Sequence, residues 1–373
     1  MNPVVLGAGP AGCTAAILLA RNGARPLLID RHAEAGDALC GGFVSWRTAA
    51  QLRQVDCDPA GLGGWPVRRL RLFADGRAVE AMLPATGFGL SRRALDTAMR
   101  AAAVKAGADF QVDHARGVAA GLVQGRNRDW SADAVFLAAG KHDVRGLPRP
   151  RKAADPALGL RVRLDGDHRL AALVDDAIEL HLFPGGYAGI VRQEGGSVNI
   201  CLAVRKSLLS QAGGQPLELL AQLAVRCPQL GTRLVGLSSG HRVDTIASVP
   251  YGYVTQRTDA GLFRLGDQAA VIPSLAGEGM AIAVASGLAA ASAYLAHGPG
   301  AAPAYQRAFA RRATRPVRTA EVIWHIAERG WGARALLAAA GCAPWLSRAA
   351  MQLSRIAQPS LVTQPWQSSI VPS

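Results

Sequence analysis

Two hydrophobic periodicities divide the chain. Pro3 to Leu6 is a short apolar run, GAGPAG follows at Gly7 to Gly12, and an apolar helix-like stretch continues to Asn22 and stops at Gly23. A second apolar run, Pro26 to Ile29, ends at Asp30, so the opening reads strand, helix, strand. From Leu160 to Val204 the period becomes two, in LRVRLDG, IELHLFP, YAGIVRQ and SVNICLAV. Pro184-Gly185-Gly186 and Glu194-Gly195-Gly196 separate the last three, which predicts adjacent antiparallel strands joined as hairpins. Leu208 to Leu230 reads as a helix interrupted at Gly213-Gly214, and Arg242 to Tyr253 as a returning strand. Met280 to Ala296 is apolar but short for a bilayer, mostly Ala and interrupted by Gly287, which favours a buried core helix over a membrane span.

With 373 residues, half of them apolar, the chain is long enough for two packed modules and lacks the composition of a disordered or collagen-like sequence. Its formal net charge is +14, and lysine occurs only at Lys105, Lys141, Lys152 and Lys206, so the excess is arginine. Half of it falls after Ala301, where nine arginines face only Glu321 and Glu328. No helix-turn-helix, zinc-finger spacing or RRM-like aromatic pair accompanies it, so nucleic-acid binding is not expected. The six cysteines are scattered, without C-x-x-C pairs or neighbouring histidines, which argues for reduced thiols and no metal site. No signal-peptide pattern opens the chain, and a cytoplasmic protein is expected, with peripheral membrane contact as a second location.

The glycine spacing carries chemistry. Gly7 permits a tight turn, Gly9 lets backbone approach a pyrophosphate, and Gly12 permits close helix–strand packing, with the phosphates at the positive end of the helix dipole. Asp30 is placed to accept hydrogen bonds from an adenosine ribose. Much later, Gly261 to Gly287 reads as a strand, Gly266-Asp267, a Pro-containing loop and Gly277-Glu278-Gly279 opening the long apolar helix.

In this order, Gly7 to Gly12, an Arg in LSRRALD (Leu90 to Asp96) and the Gly-Asp segment resemble the FAD-dependent aromatic-hydroxylase superfamily, over roughly residues 1 to 300. The loop DALCGGFVSWRTAAQL (Asp37 to Leu52) and the hairpin YAGIVRQEGGSVNICLAV are similar to its geranylgeranyl reductase branch. The resemblance implies an α/β fold: a discontinuous Rossmann-like FAD-binding domain (1–60, 90–155 and 250–300), an inserted antiparallel-sheet substrate domain (61–89 and 156–249) and a C-terminal helical segment (301–373). It implies FAD held by Gly7, Gly9, Ala11, Gly12, Asp30, Arg31, Cys40, Gly41, Arg92, Gly266, Asp267, Gly279, Met280 and Ala281. Asp267 matches the acid at the ribityl hydroxyls, and Arg92 the side chain at the pyrophosphate. Gly279, Met280 and Ala281 match the helix start at the flavin N1/C2 edge. For Asp267 the plain alternative is a strand-end turn acid, for Arg92 a solvated helix-start arginine, and for Cys40 a buried thiol in a glycine turn. No residue is singled out as catalytic, since a flavin does the hard step itself.

The resemblance implies an FAD-dependent oxidoreductase with NADH or NADPH as reductant. Its first form is a monooxygenase that hydroxylates an apolar or aromatic small molecule through a flavin C4a-hydroperoxide. The second form is a reductase of isoprenoid or polyene C=C bonds, and the third a non-catalytic flavin- or partner-binding protein. The chain departs from the pattern at Ala139, where hydroxylases carry an Asp before Gly140; Lys141, His142 and Arg145 are placed to meet a phosphate, or to form a solvated loop. It lacks the Trp-x-Trp-x-x-Pro segment and early lysine of flavin halogenases. Tyr187, His181, Tyr251 and Tyr253 are candidates for a substrate head group or for plain packing. The tail, with Tyr305 and Phe309 four apart and Trp324, Trp331, Trp345 and Trp366, reads either as a basic aromatic surface for a membrane or an acidic carrier protein, or as a capping helical subdomain. Ala357 to Ser373 is uncharged and reads as poorly ordered or draped over the surface.

Overall fold

The structure, a computed structural model, describes residues 3–119, 121–151, 153–342 and 352–356; Trp345, Trp366 and 357–373 lie outside the described residues. The chain opens with β1 (Pro3–Leu6), α1 (Pro10–Arg21), β2 (Leu27–Asp30), β3 (Phe43–Val44) and α2 (Trp46–Arg53). A long hairpin, β4 (Trp65–Ala74) and β5 (Arg77–Gly89), precedes α3 (Arg92–Ala106), β6 (Asp109–Val112), β7 (Gly117–Ala119), β8 (Leu122–Gln124), β9 (Asp129–Ser131) and β10 (Ala134–Leu137). Next come β11 (Ala157–Leu164), α4 (His168–Val174), β12 (Ala177–Phe183), β13 (Gly186–Arg192) and β14 (Val198–Arg205). The helices α5 (Lys206–Gln211), α6 (Pro216–Arg226) and α7 (Pro228–Arg233) lead to β15 (Asp244–Val249) and β16 (Leu262–Arg264). The chain continues through α8 (Gly279–His297), α9 (Ala302–Ala327) and α10 (Gly330–Cys342).

A five-stranded parallel sheet in the order β16-β10-β1-β2-β6 forms the Rossmann-like core, with Val4 level with Leu27 and Val135. β1 is buried at all four positions, as a central parallel strand must be. One face carries α1, against which α3 and α8 pack; the other is covered by the small antiparallel sheet β7-β8-β9 through Val118, Val123 and Trp130. α8 is long and apolar enough to cross a membrane, yet Ile282, Val284, Leu288 and Tyr294 lie in this core. A Cβ at Gly287 would overlap the Ala11 carbonyl, so this glycine sets how closely α1 and α8 approach.

The period-two segments fall in an eight-stranded sheet, β15-β11-β14-β13-β12-β4-β5-β3, antiparallel except where β12 meets β4. Leu160, Val162, Ile200 and Leu202 point to one face, where α4 to α7 bury them. Leu70, Leu72, Ile178, Leu180 and Leu182 point to the other, which borders a cavity. β15 is shorter than the predicted strand: Ser248 takes a positive φ of 53°, and Pro250 has no N–H to continue the ladder. In α9, Tyr305 and Phe309 do share one face, but that face turns inward and both rings are buried, as is Trp324; Arg307, Arg311, Arg315, Arg318 and Val322 of α9 and Trp331 of α10 are exposed. Of the aromatic side chains expected on the tail surface, Tyr305, Phe309 and Trp324 are therefore core, while Trp331 is exposed.

Candidate functional site

The Gly7–Gly12 turn joins β1 to α1, and its backbone needs both glycines. Gly7 adopts φ +102°, and a Cβ at Gly12 would overlap the Gly7 carbonyl oxygen. α1 begins at Pro10 with Gly9 as an N-cap that has no side chain, so its first N–H groups stay unfilled by any cap. Arg92, first residue of α3, reaches beside Gly9, where an added Cβ would stand 3.4 Å from its Nη2. Its guanidinium donates to both oxygens of buried Asp96, at 2.9 and 2.7 Å, which fixes its plane. Asp30 works within the loop: Oδ2 accepts from the Ala8 N–H at 2.9 Å and Oδ1 from His32 N–H at 3.0 Å. Arg100 completes the frame, 3.1 Å from Asp30 and donating to the carbonyls of Ala8 and His32. Arg31 reaches His142 Nε2 at 3.0 Å and so ties the loop after β2 to the one after β10.

A second helix start faces the same space. Gly266-Asp267 forms a single 3-10 turn after β16, and α8 begins at Gly279 behind Glu278, again without a side-chain cap. Buried Arg149 donates to the Asp267 and Lys141 carbonyls, and the Gln268 amide to those of Gly140 and His142. These bonds bring the Ala139-Gly140 segment, which departs from the hydroxylase pattern, against the Gly-Asp turn. Lys141 then lies 3.7 Å from the Asp267 carboxylate. Burial and the neighbouring Arg31 hold His142 below the usual histidine range.

Both helix starts open into a cavity of about 590 Å³. Cys40 and Gly41 border it, their carbonyls held by the Asn199 amide of β14 at 3.1 and 2.9 Å. Its far half is aliphatic, with Leu70, Leu72 and Leu180 of the sheet facing Ile323 of α9 and Leu336 of α10. Tyr187 donates to Ser274 Oγ at 2.8 Å and Tyr251 meets the same hydroxyl at 2.6 Å, while Trp324 packs edge-on against both rings. Burial raises Tyr187 well above the usual phenol range and Tyr251 to about 12, so both stay protonated at neutral pH. His181 and Tyr253 do not border the cavity. Strand alternation sends His181 to the opposite face of β12, stacked on Phe73 with ring centres 4.3 Å apart and bonded to Glu179.

The comparisons match this architecture. The model of the NAD(P)-binding Rossmann-like domain matches residues 5–62. Over 95% of this chain and 93% of its own, the flavin-dependent brominase Bmp2 superposes with a TM-score of 0.74 at 15% identity. A geranylgeranyl bacteriochlorophyll reductase-like protein from Thermoplasma acidophilum does so with 0.67 at 21%, over 94% and 98% of the two chains. The chain shares the fold of these two proteins over nearly its whole length. PqsL of Pseudomonas aeruginosa, solved with 2-aminobenzoylacetate, has the same fold, with a TM-score of 0.67 at 16% identity, over 89% and 98% of the chains. In sequence, the menaquinone reductase of Mycobacterium tuberculosis is 36% identical over 115 residues, 28% of this chain; the match spans about a quarter of that relative's length.

The cofactor-binding residues expected from the superfamily resemblance fall around one space: Gly9, Ala11, Cys40, Gly41, Arg92, Gly266, Asp267, Gly279 and Met280 border the cavity. Gly7 and Gly12 shape the turn behind it, Ala281 lies buried inside α8, and Asp30 and Arg31 sit one strand away. Arg100, Asn199, Arg149 and the walls from α9 and α10 were not read from the sequence. Little local marks them, because the contacts of Arg100 and Asn199 that shape the site, and that of Arg149 with the Asp267 carbonyl, span dozens of residues or more.

Proposed function

We propose that the chain is an FAD-dependent oxidoreductase that holds an apolar small molecule beside the cofactor. The observation that carries this is the convergence of two uncapped helix starts, at Gly9 and Gly279, on one cavity whose remaining walls are aliphatic. The residues fit the cofactor. The Gly9 backbone and the N–H groups of α1 would hold its pyrophosphate beside Arg92, Asp267 would accept from ribityl hydroxyls, and the start of α8 would face the ring. When bound, FAD supplies the group that accepts and passes on a hydride, with NADH or NADPH as the expected reductant. The chain's own part is to orient the substrate and exclude water.

The cavity favours a carbon–carbon double bond over a phenol as the reacting group. Phenols are oxidised as phenolates, and the aliphatic half holds no base among the described residues, Tyr187 and Tyr251 both being kept protonated by burial. Reduction of a polyene or isoprenoid therefore comes first here and hydroxylation second. The menaquinone reductase similarity adds support for the first, and the PqsL fold for the second. Purified protein should be yellow, be bleached by NADH or NADPH, and convert a polyene anaerobically. A product that forms only with O2 would establish hydroxylation; a colourless protein that takes up no FAD would end the flavoenzyme reading.

We infer further that the outer face of α9 meets an anionic lipid surface. Arg307, Arg311, Arg315 and Arg318 recur along one exposed row that ends at exposed Val322, and none makes an ion pair among the described residues. Exposed Trp331 stands just beyond, at the start of α10.

A further inference from the structure

One guanidinium of the C-terminal segment lies against the cavity. Arg355 borders it with a side chain only 6% exposed, its guanidinium carbon 3.6 Å from the centre of the Trp46 ring. Trp46 opens α2, which follows the Cys40-Gly41 loop, so the stacked pair sits near the start of α8. The face of an indole fixes a guanidinium plane while leaving its N–H edge available. The acid facing it is buried Glu278, whose Oε1 lies 3.5 Å from Nε, a long contact. The described residues offer Nη1 and Nη2 no hydrogen-bond acceptor. A buried cation with one distant counter-ion keeps much of its desolvation cost, and an oxyanion that accepts two parallel N–H bonds would offset it.

We propose that Arg355 is the oxyanion-binding group of the cavity, taking the carboxylate or phosphate of an amphipathic substrate whose apolar chain lies along β4 and β12. This rests on reading the cavity as the substrate site, but it does not require FAD to be bound. It also gives the substrate a direction, since the charged end is held at the Trp46 side and the aliphatic end runs toward α10.

Glu278 makes the binding pH-dependent. The groups that face it are Arg355 from the C-terminal segment, and Arg47 and Ser45 from α2 and its cap. Burial pushes its carboxyl up to about 7 against the pull of both arginines and the Ser45 hydroxyl. Above that pH the carboxylate competes for Arg355; below it the acid is neutral and the competition ends. Ligand oxyanions should bind more tightly as pH falls from 8 to 6.

The test is calorimetric titration of the full chain with dodecanoate, dodecyl phosphate and dodecanol. Dodecanoate should bind roughly tenfold or more tightly than dodecanol, the worth of one charge-assisted hydrogen bond. Arg355→Met should remove that preference and leave dodecanol affinity unchanged, Arg355→Lys should keep part of it, and Glu278→Gln should keep it while flattening its pH dependence between 6 and 8. The phosphate-to-carboxylate ratio names the preferred oxyanion. Equal binding of acid and alcohol by the wild type, or a preference that survives Arg355→Met, overturns the assignment. Flavin absorbance is read separately: a colourless protein that still prefers the acid counts against the flavoenzyme reading and in favour of this one.

Discussion

At the scale of single residues, glycine spacing was the most legible signal because it acts between neighbours in the chain. A Cβ at Gly12 would overlap the Gly7 carbonyl, whereas one at Gly41 meets nothing within 4 Å. Gly12→Ala should therefore lower the melting temperature and weaken FAD binding, measured by flavin fluorescence titration, while Gly41→Ala should fold as the wild type does. Asp30 was legible as a site residue but not in its local task, since nothing in the sequence reveals that Arg100, seventy positions later, shares its carboxylate and braces the Ala8 carbonyl. Lys141 stood out as a phosphate candidate, yet only the fold shows it paired with Asp267. In sequence Arg355 is one of nine tail arginines with nothing to set it apart, because burial is a property of the assembled molecule and not of the spacing.

Among the elements, period-two alternation identified the strands β11 to β14 and gave their hairpins, but it could not say what each face meets. One face of β12 supplies Ile178, Leu180 and Leu182 to the cavity; the other carries Glu179 and His181 into a buried polar cluster with Arg233 of α7. Burial opposes ionisation of Glu179, but the hydrogen bonds from His181 and Arg233 prevail and hold its carboxyl at about 2. A carboxyl depressed in the fold stabilises it fully above the unfolded value of 4.5, and that contribution is lost as pH falls toward about 2. Arg233→Met leaves a buried charge short of its partner and should cost about 3–5 kcal/mol in urea unfolding at neutral pH. The same variant should lose less stability than the wild type between pH 4.5 and 2. The inward turn of Tyr305 and Phe309 was equally hidden, because an i, i+4 aromatic pair marks one helix face without saying which way it points.

For the whole molecule, the excess of arginine has separable tasks: Arg92 and Arg100 frame the glycine turn, Arg355 borders the cavity, and the α9 row faces outward. Replacing Arg307, Arg311, Arg315 and Arg318 by Gln should abolish salt-sensitive sedimentation with anionic vesicles and leave the melting temperature within a degree or two of wild type. Retained vesicle binding, or capture by an acidic carrier protein alone, would remove the lipid reading. The α/β class and the parallel core were legible at this scale, whereas the closing of the cavity by α9 and α10 was not, since those helices follow the last recognisable motif. The strand order β16-β10-β1-β2 also bears on how the protein is made. β1 sits between neighbours that leave the ribosome at very different times, and β16 emerges roughly 130 residues after β10. At ordinary translation rates that is a wait of roughly 6 to 25 s during which the β10 edge lacks its partner. Nascent chains stalled before β16 should then be protease-sensitive and chaperone-bound, and those extended past α8 resistant.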